Sequence, residues 1–248
     1  MRSAAVQGFL PSRHGFAFAN RWPSGPAFEW RAGYLRIGIG DVADGLCGGM
    51  CHAAADRFLR GEATAAEAPQ PMAGAPLFRE IARRQLDSFH WLVGVPFRFW
   101  WASTRLRAGR WTAADQAREW RVIRADIDAG RPAMLGLVRA ATGSPFSLNA
   151  NHQVLGYAYE AAPSTATIRI YDPNHPRRDD VELRLRVRGA AADGSPGGSR
   201  DTTTEHGPPA ATPDPAAAGR RAISLEQSTG EPLLALLRWP YRPVPRPG

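Results

Sequence analysis

The spacing of apolar positions changes about half-way along the chain. In 50–59, Met50, Ala53, Ala54 and Phe58 recur at helical spacing, directly after the breakers Gly48 and Gly49. Residues three and four apart share one helix face, so this segment predicts an amphipathic helix. Segments 77–92 and 113–129 predict two more, the second with Ala117, Trp120, Ile123 and Ile127 on one stripe. Beyond residue 132 the pattern turns strand-like, and 133–139, 153–159, 167–171, 181–188 and 233–239 read as strands. Helices followed by antiparallel strands predict an α+β fold.

Two stretches interrupt this pattern. Residues 62–76 are rich in Ala, Pro and Glu and read as a loop. Residues 189–221 hold almost no large apolar side chain, so burial cannot offset the entropy of ordering them. They are expected to form a disordered insertion looping out of a sheet. With no internal repeat, residues 1–248 are expected to form one domain.

Composition narrows the functional classes. The chain has 248 residues, is 44% hydrophobic and carries a net charge of +8. Such a balance raises the prospect of an anionic partner. However, all 31 basic residues are Arg and they are scattered among acids, as in Arg177-Arg178-Asp179-Asp180. A solvated mixed-charge surface is the expectation, with no nucleic acid as partner. No apolar run reaches the roughly 18 residues of a membrane span, and the first residues lack a signal-peptide core. No membrane partner and a cytoplasmic location are therefore expected.

Candidate chemistry gathers around the two cysteines, Cys47 and Cys51. Cys47 stands where a loop enters a helix. Free amides and the positive helix end there favour thiolate over thiol. The following Gly48-Gly49 would let a substrate carbonyl approach the backbone, where the Cys47 amide could serve an oxyanion hole. Cys51, one turn on, reads as a small buried hydrophobe or a loose partner of Cys47.

A base and an orienting group follow. Segment 151–159, with the turn near Ala162 and segment 167–174, forms a hairpin pattern that sets His152 opposite Asp172. That register puts Val154, Gly156, Ile168 and Ile170 on one face, with Gln153, Leu155, Tyr157 and Arg169 on the other. In a Cys–His–Asp arrangement Asp172 fixes the imidazole tautomer while His152 holds the proton taken from Cys47.

Cys47-Gly48 at a helix start, His152-x-Val154-x-x-x-Ala158-Tyr159 on a strand and an aliphatic strand ending Asp172-Pro173 resemble the papain-like cysteine peptidase superfamily. The bacteriocin-processing, C39-like branch is most similar. The match covers residues 41–60 and 131–175. It implies a papain-like fold with N-terminal helices on an antiparallel sheet, with Cys47 as nucleophile, His152 as base and Asp172 as orienter. Asn174 is the alternative orienter, since papain itself uses Asn. A peptide or amide would be the substrate. The family's glutamine oxyanion donor, a few residues before the nucleophile, has no counterpart here. Asp41 and Asp44 occupy that region, and Asn20 would substitute only if the fold brought it near. A catalytically inactive binding or effector module is thus the competing expectation.

No cofactor and no metal are expected. Cys47-x-x-x-Cys51-His52 has one spacer too many for haem attachment. A zinc set of Cys47, Cys51, His52 and His152 lacks a second close ligand pair. The aromatics Phe97, Phe99, Trp100, Trp101 and Trp111 are expected in the core, and the Pro-rich end 239–247 is expected to be a loose terminus.

Overall fold

The computed structural model describes residues 1–32, 35–41, 45–62, 69–89, 95–144, 150–187 and 223–244. The elements run in the order β1 (Arg2–Ala5), α1 (Pro11–His14), β2 (Pro26–Ala32), β3 (Leu35–Asp41), α2 (Cys47–Leu59), α3 (Pro76–Phe89), α4 (Val95–Arg107) and α5 (Ala113–Asp128), then β4 (Ala133–Val138), β5 (His152–Ala162), β6 (Thr165–Tyr171), β7 (Glu182–Val187), β8 (Ile223–Gln227) and β9 (Ala235–Arg238). This mixture of helices and antiparallel sheet is the α+β class that the pattern predicts. The predicted disordered insertion, 189–221, lies outside the described residues.

The main sheet follows the order β8-β7-β6-β5-β4-β9 and curves into a half-barrel. Its long strand β5 pairs with β4 through its first half and with β1 through its second. Both faces are buried, so neighbouring residues of a strand enter different cores. Leu135, Val154, Ile168 and Leu183 pack with Ile123 and Ile127 of α5. Met134, Leu155, Tyr171 and Leu237 pack with Met50, Ile81 and Phe99 of α2, α3 and α4. Double burial explains why 133–138 is apolar throughout rather than alternating.

Several boundaries differ from expectation. Strand pairing after the insertion resumes at β8, not at 233–239, because Val187 faces Ile223 in the β7–β8 ladder. The stretch around Phe97 forms a helix, α4. Phe99 and Ala102 are buried there, whereas Phe97, Trp100 and Trp101 are 57%, 36% and 37% exposed. The helix has one core-facing stripe, so the aromatic run cannot all be buried. The Pro-rich end is also tied down as far as Val244. Trp239 is fully buried, Tyr241 Oη donates to Asp56 at 2.7 Å, and the Val244 amide donates to the same carboxylate at 3.1 Å.

Candidate active site

Local chemistry explains why α2 begins at Cys47. Gly45 adopts φ +91, a left-handed turn that suits glycine. The first turn of a helix leaves amides unpaired, and side chains from elsewhere satisfy two of them near this end. Asn20 Oδ1 accepts from the Leu46 amide at 2.7 Å, and Gln85 Oε1 accepts from the Gly49 amide at 2.7 Å. Cys47 is thus the first residue of a firmly held helix, at the positive end of its dipole.

The two glycines have a packing job. A Cβ on Gly49 would stand 2.1 Å from the Ile81 carbonyl oxygen, and one on Gly48 would stand 2.6 Å from Gln153 Oε1. Both residues are buried. They permit close packing of α2 against α3 and β5.

His152 opens β5 and Asp172 directly follows β6. The turn falls at Pro163-Ser164, with Ala162 facing Thr165, and Tyr157 is an extra residue between the pairs Gly156–Ile170 and Ala158–Arg169. His152 therefore sits diagonal to Asp172 rather than directly opposite. Diagonal neighbours are still within reach of long side chains, and His152 Nε2 bonds Asp172 Oδ1 at 2.7 Å. Both side chains are buried.

Asp172 is held from three further directions. The Asn174 amide donates to Oδ1 at 2.8 Å, an Asx-turn within Asp172-Pro173-Asn174. Gln227 Nε2 donates to Oδ2 at 2.8 Å. The turn closes through His175 N to Asp172 O at 2.9 Å. Asp172, not Asn174, is the imidazole's partner. Asn174 Oδ1 instead accepts from Asn20 Nδ2 at 3.5 Å.

Cys47 and His152 are close enough to be charge-coupled, each shifting the other's proton affinity. With Nε2 engaged by Asp172, Nδ1 is the nitrogen left for the sulfur. Burial alone would raise the Cys47 pKa. The imidazole of His152, by charge and hydrogen bond, and backbone hydrogen bonds at Gln153 and Gly48 outweigh it and bring the thiol below its ordinary range. Burial likewise opposes a charged His152, but the charges of Asp172 and Cys47 hold its pKa at about 10. Asp172 is pulled down to about 2, its burial outweighed first by the imidazole and then by the Asn174 amide. The arrangement favours a thiolate–imidazolium pair backed by a carboxylate.

Cys51 is different in kind. It is fully buried, its thiol donates to the Gln153 carbonyl at 3.5 Å, and burial plus the nearby Cys47 and Asp172 charges push its pKa well up. Cys47 keeps partial solvent access. Of the two cysteines, only Cys47 combines partial exposure of the residue with a lowered pKa.

Asn20 lies beside the start of α2. Its Oδ1 accepts from both the Leu46 amide and, at 3.0 Å, Trp22 Nε1. Two donors on one oxygen fix the amide's orientation, with Nδ2 on the other side, where it donates to Asn174 Oδ1. The β2–β3 ribbon, 26–41, lies between Asn20 and Cys47 in the chain.

Sequence reasoning missed Gln153, whose backbone meets both sulfurs, and Gln227, Arg139 and Asn151. No spacing singles out Gln227, which arrives on β8 from 55 positions beyond Asp172. His52 does not join a metal set: it packs against Tyr241 with ring centroids 5.3 Å apart. No group of three or more His, Cys, Asp or Glu placed for a metal occurs among the described residues. No helix among them is long and apolar enough to cross a membrane.

No family model, curated protein or solved structure matches the chain.

Proposed function

We propose that the protein is a papain-like, cysteine-dependent hydrolase that transfers an acyl group through Cys47, His152 and Asp172. One observation carries this reading: a single buried imidazole is bonded to a buried carboxylate on one side and charge-coupled on the other to the thiol of a partly exposed cysteine, whose pKa is lowered. In the proposed reaction the Cys47 thiolate attacks an amide or peptide carbonyl. His152, already protonated, delivers its proton to the leaving amine, and Asp172 stabilises the imidazolium and holds its tautomer. His152 then takes a proton from water, which attacks the thioester and releases the acid and free Cys47. The Cys47 amide and Asn20 Nδ2 are the proposed oxyanion donors.

Asn20 favours an enzyme over a non-catalytic module, because it is a side-chain amide held at the Leu46 amide, next to Cys47, and its second Nδ2 hydrogen would serve in place of the absent glutamine. The decisive experiment is the pH dependence of iodoacetamide labelling at Cys47, in a Cys51→Ala background with and without His152→Ala. A reactive limb well below the free-thiol value of about 8.5, lost with His152, supports the reading. An ordinary limb in both proteins refutes it.

A further inference from the structure

Asp172 belongs to a ring that closes on the imidazole. Gln227 Nε2 donates to Asp172 Oδ2 at 2.8 Å, Arg139 Nη2 donates to Gln227 Oε1 at 3.0 Å, and the Arg139 amide donates to Asn151 Oδ1 at 3.0 Å. Asn151 is covalently joined to His152, whose Nε2 returns to Asp172 Oδ1. Four segments meet in this ring: the end of β4, the start of β5, the end of β6 and the end of β8. Gln227 is buried, so its amide has a fixed set of partners.

The ring has a direction. Guanidinium is donor-only, so Arg139 requires the amide oxygen of Gln227 on its own side. The Nε2 donor must then face Asp172. An ionised carboxylate accepts on both oxygens, and occupying Oδ2 restrains rotation about its Cβ–Cγ bond. Oδ1 is left aimed at His152.

Resting on the function proposed above, we propose that Gln227, oriented by Arg139, is a positioning residue that aims Asp172 at His152. It touches neither the thiol nor a substrate; it acts through the carboxylate. The other ionisable groups around Asp172 are His152, Cys51, Tyr171 and His175, with Cys47 beyond the imidazole. The Asn174 amide, Gln227 from β8 and, behind Gln227, Arg139 at the end of β4 are further polar groups there.

The test is the acid limb of Cys47 alkylation by iodoacetamide, in Cys51→Ala protein carrying Gln227→Leu or Arg139→Met, with folding followed by circular dichroism. With Oδ2 released, the carboxylate rotates, the imidazolium loses alignment and the thiol returns toward its ordinary range. The expected limb moves up by about half a unit or more in Gln227→Leu, roughly threefold less thiolate below the limb. Arg139→Met moves it the same way by less, because it frees the amide to turn without removing it. A purely structural role leaves the limb of a folded variant unmoved. An unmoved limb in both variants overturns the proposal, as does a downward move, which would make Gln227 a damper of the Asp172 charge. Unfolding of both variants also overturns it, by assigning the pair to stability. These failures differ from failure of the functional reading, in which the parent protein itself titrates as an ordinary thiol and His152→Ala changes nothing.

Discussion

His152 and Asp172 meet at 2.7 Å because β5 carries one extra residue, Tyr157. At the hairpin end Ala162 faces Thr165, and that register, carried on, would set Asp172 opposite Leu155, on the other face from His152. The bulge shifts the pairing by one, so Leu155 faces Tyr171 and the His152 and Asp172 positions fall on the same side. It also lets Val154 and Tyr159 enter the same core despite their odd spacing. A side-chain pair that bonds across the end of a sheet thus depends on a backbone irregularity several residues away.

Asp172→Asn should therefore disable the pair without emptying the space. The amide cannot stabilise imidazolium, and it presents the wrong group to either His152 or Gln227. Turnover of an activated ester such as p-nitrophenyl acetate is expected to fall by about 10²–10⁴. The acid limb of Cys47 labelling should rise toward the free-thiol value. Retention of full turnover would remove Asp172 from the mechanism.

The pH profile follows from the same three groups. The thiolate–imidazolium pair exists between the lowered Cys47 pKa and the His152 pKa of about 10. Turnover should rise with pH through a limb below the ordinary thiol range and decline as His152 loses its proton near pH 10. Stability carries a matching sign. His152 has a raised pKa, so its contribution is complete below its unfolded value of about 6.5 and is lost as pH rises through about 10. Asp172 has a depressed pKa. Its contribution is present above about 3.9 and is lost as pH falls toward about 2. Urea unfolding of wild type and His152→Ala at pH 6 and pH 10 should show a stability difference that shrinks at the higher pH.

Asn20→Ala separates chemistry from thiol activation. The Cys47–His152–Asp172 pairings do not pass through Asn20, so the alkylation limb should stay close to its original place. Loss of an oxyanion donor should lower ester turnover by about 10²–10³. Loss of the Leu46 bond also leaves that amide without its acceptor, at a cost of about 1 kcal/mol or more. Equal losses in alkylation and turnover would mean that Asn20 only holds the helix.

How much of this was legible in the chain depended on how local each signal was. Cys47 could be read because Gly-Gly follows it at a loop-to-helix junction, and His152 and Asp172 because aliphatic strands flank a short turn. The pattern puts the turn one to two residues early, and the bulge is invisible in it, since Tyr157 and Ala158 suit either register. The two departures offset one another in face but not in position. Gln227 was out of reach for a plainer reason. Its role is set by β8 pairing with β7 across a long intervening segment, and no local periodicity encodes that. The tied-down C-terminal segment was missed similarly: Pro-rich composition predicts looseness, but one buried acid on α2 supplies the missing hydrogen bonds.

Gly49 marks where α2 and α3 touch. A methyl at this position would meet the Ile81 carbonyl oxygen, main chain that cannot rotate away. Gly49→Ala should cost about 1–3 kcal/mol or more, as overpacking does. Gly48→Ala meets only the far end of the Gln153 side chain, which can turn aside. The order of urea midpoints, Gly49→Ala well below Gly48→Ala, checks this, and the reverse order would contradict the packing described.

Asp56 is the acid that fastens the end of the chain to the helix bearing Cys47. Its carboxylate pairs with Arg84 Nε at 2.8 Å and accepts from Tyr241 Oη and the Val244 amide, while Arg84 Nη2 donates to the Arg242 carbonyl at 2.9 Å. Asp56 is 2% exposed and Arg84 is 7% exposed. Removing one partner of such a buried pair leaves the other charge without its counter-ion, typically about 3–5 kcal/mol. Asp87, at 2.8 Å from Arg84 Nη1, retains part of the pairing, so Asp56→Ala is expected at the lower end of that range. The loss should be local in its first effects: amides around 241–244 should exchange faster with deuterium and the tail should become sensitive to protease. The alkylation limb of Cys47 should stay put, because Asp56 lies at the far end of α2 from the thiol. A tail that keeps its protection in Asp56→Ala would show that the burial of Trp239, not the carboxylate, holds it.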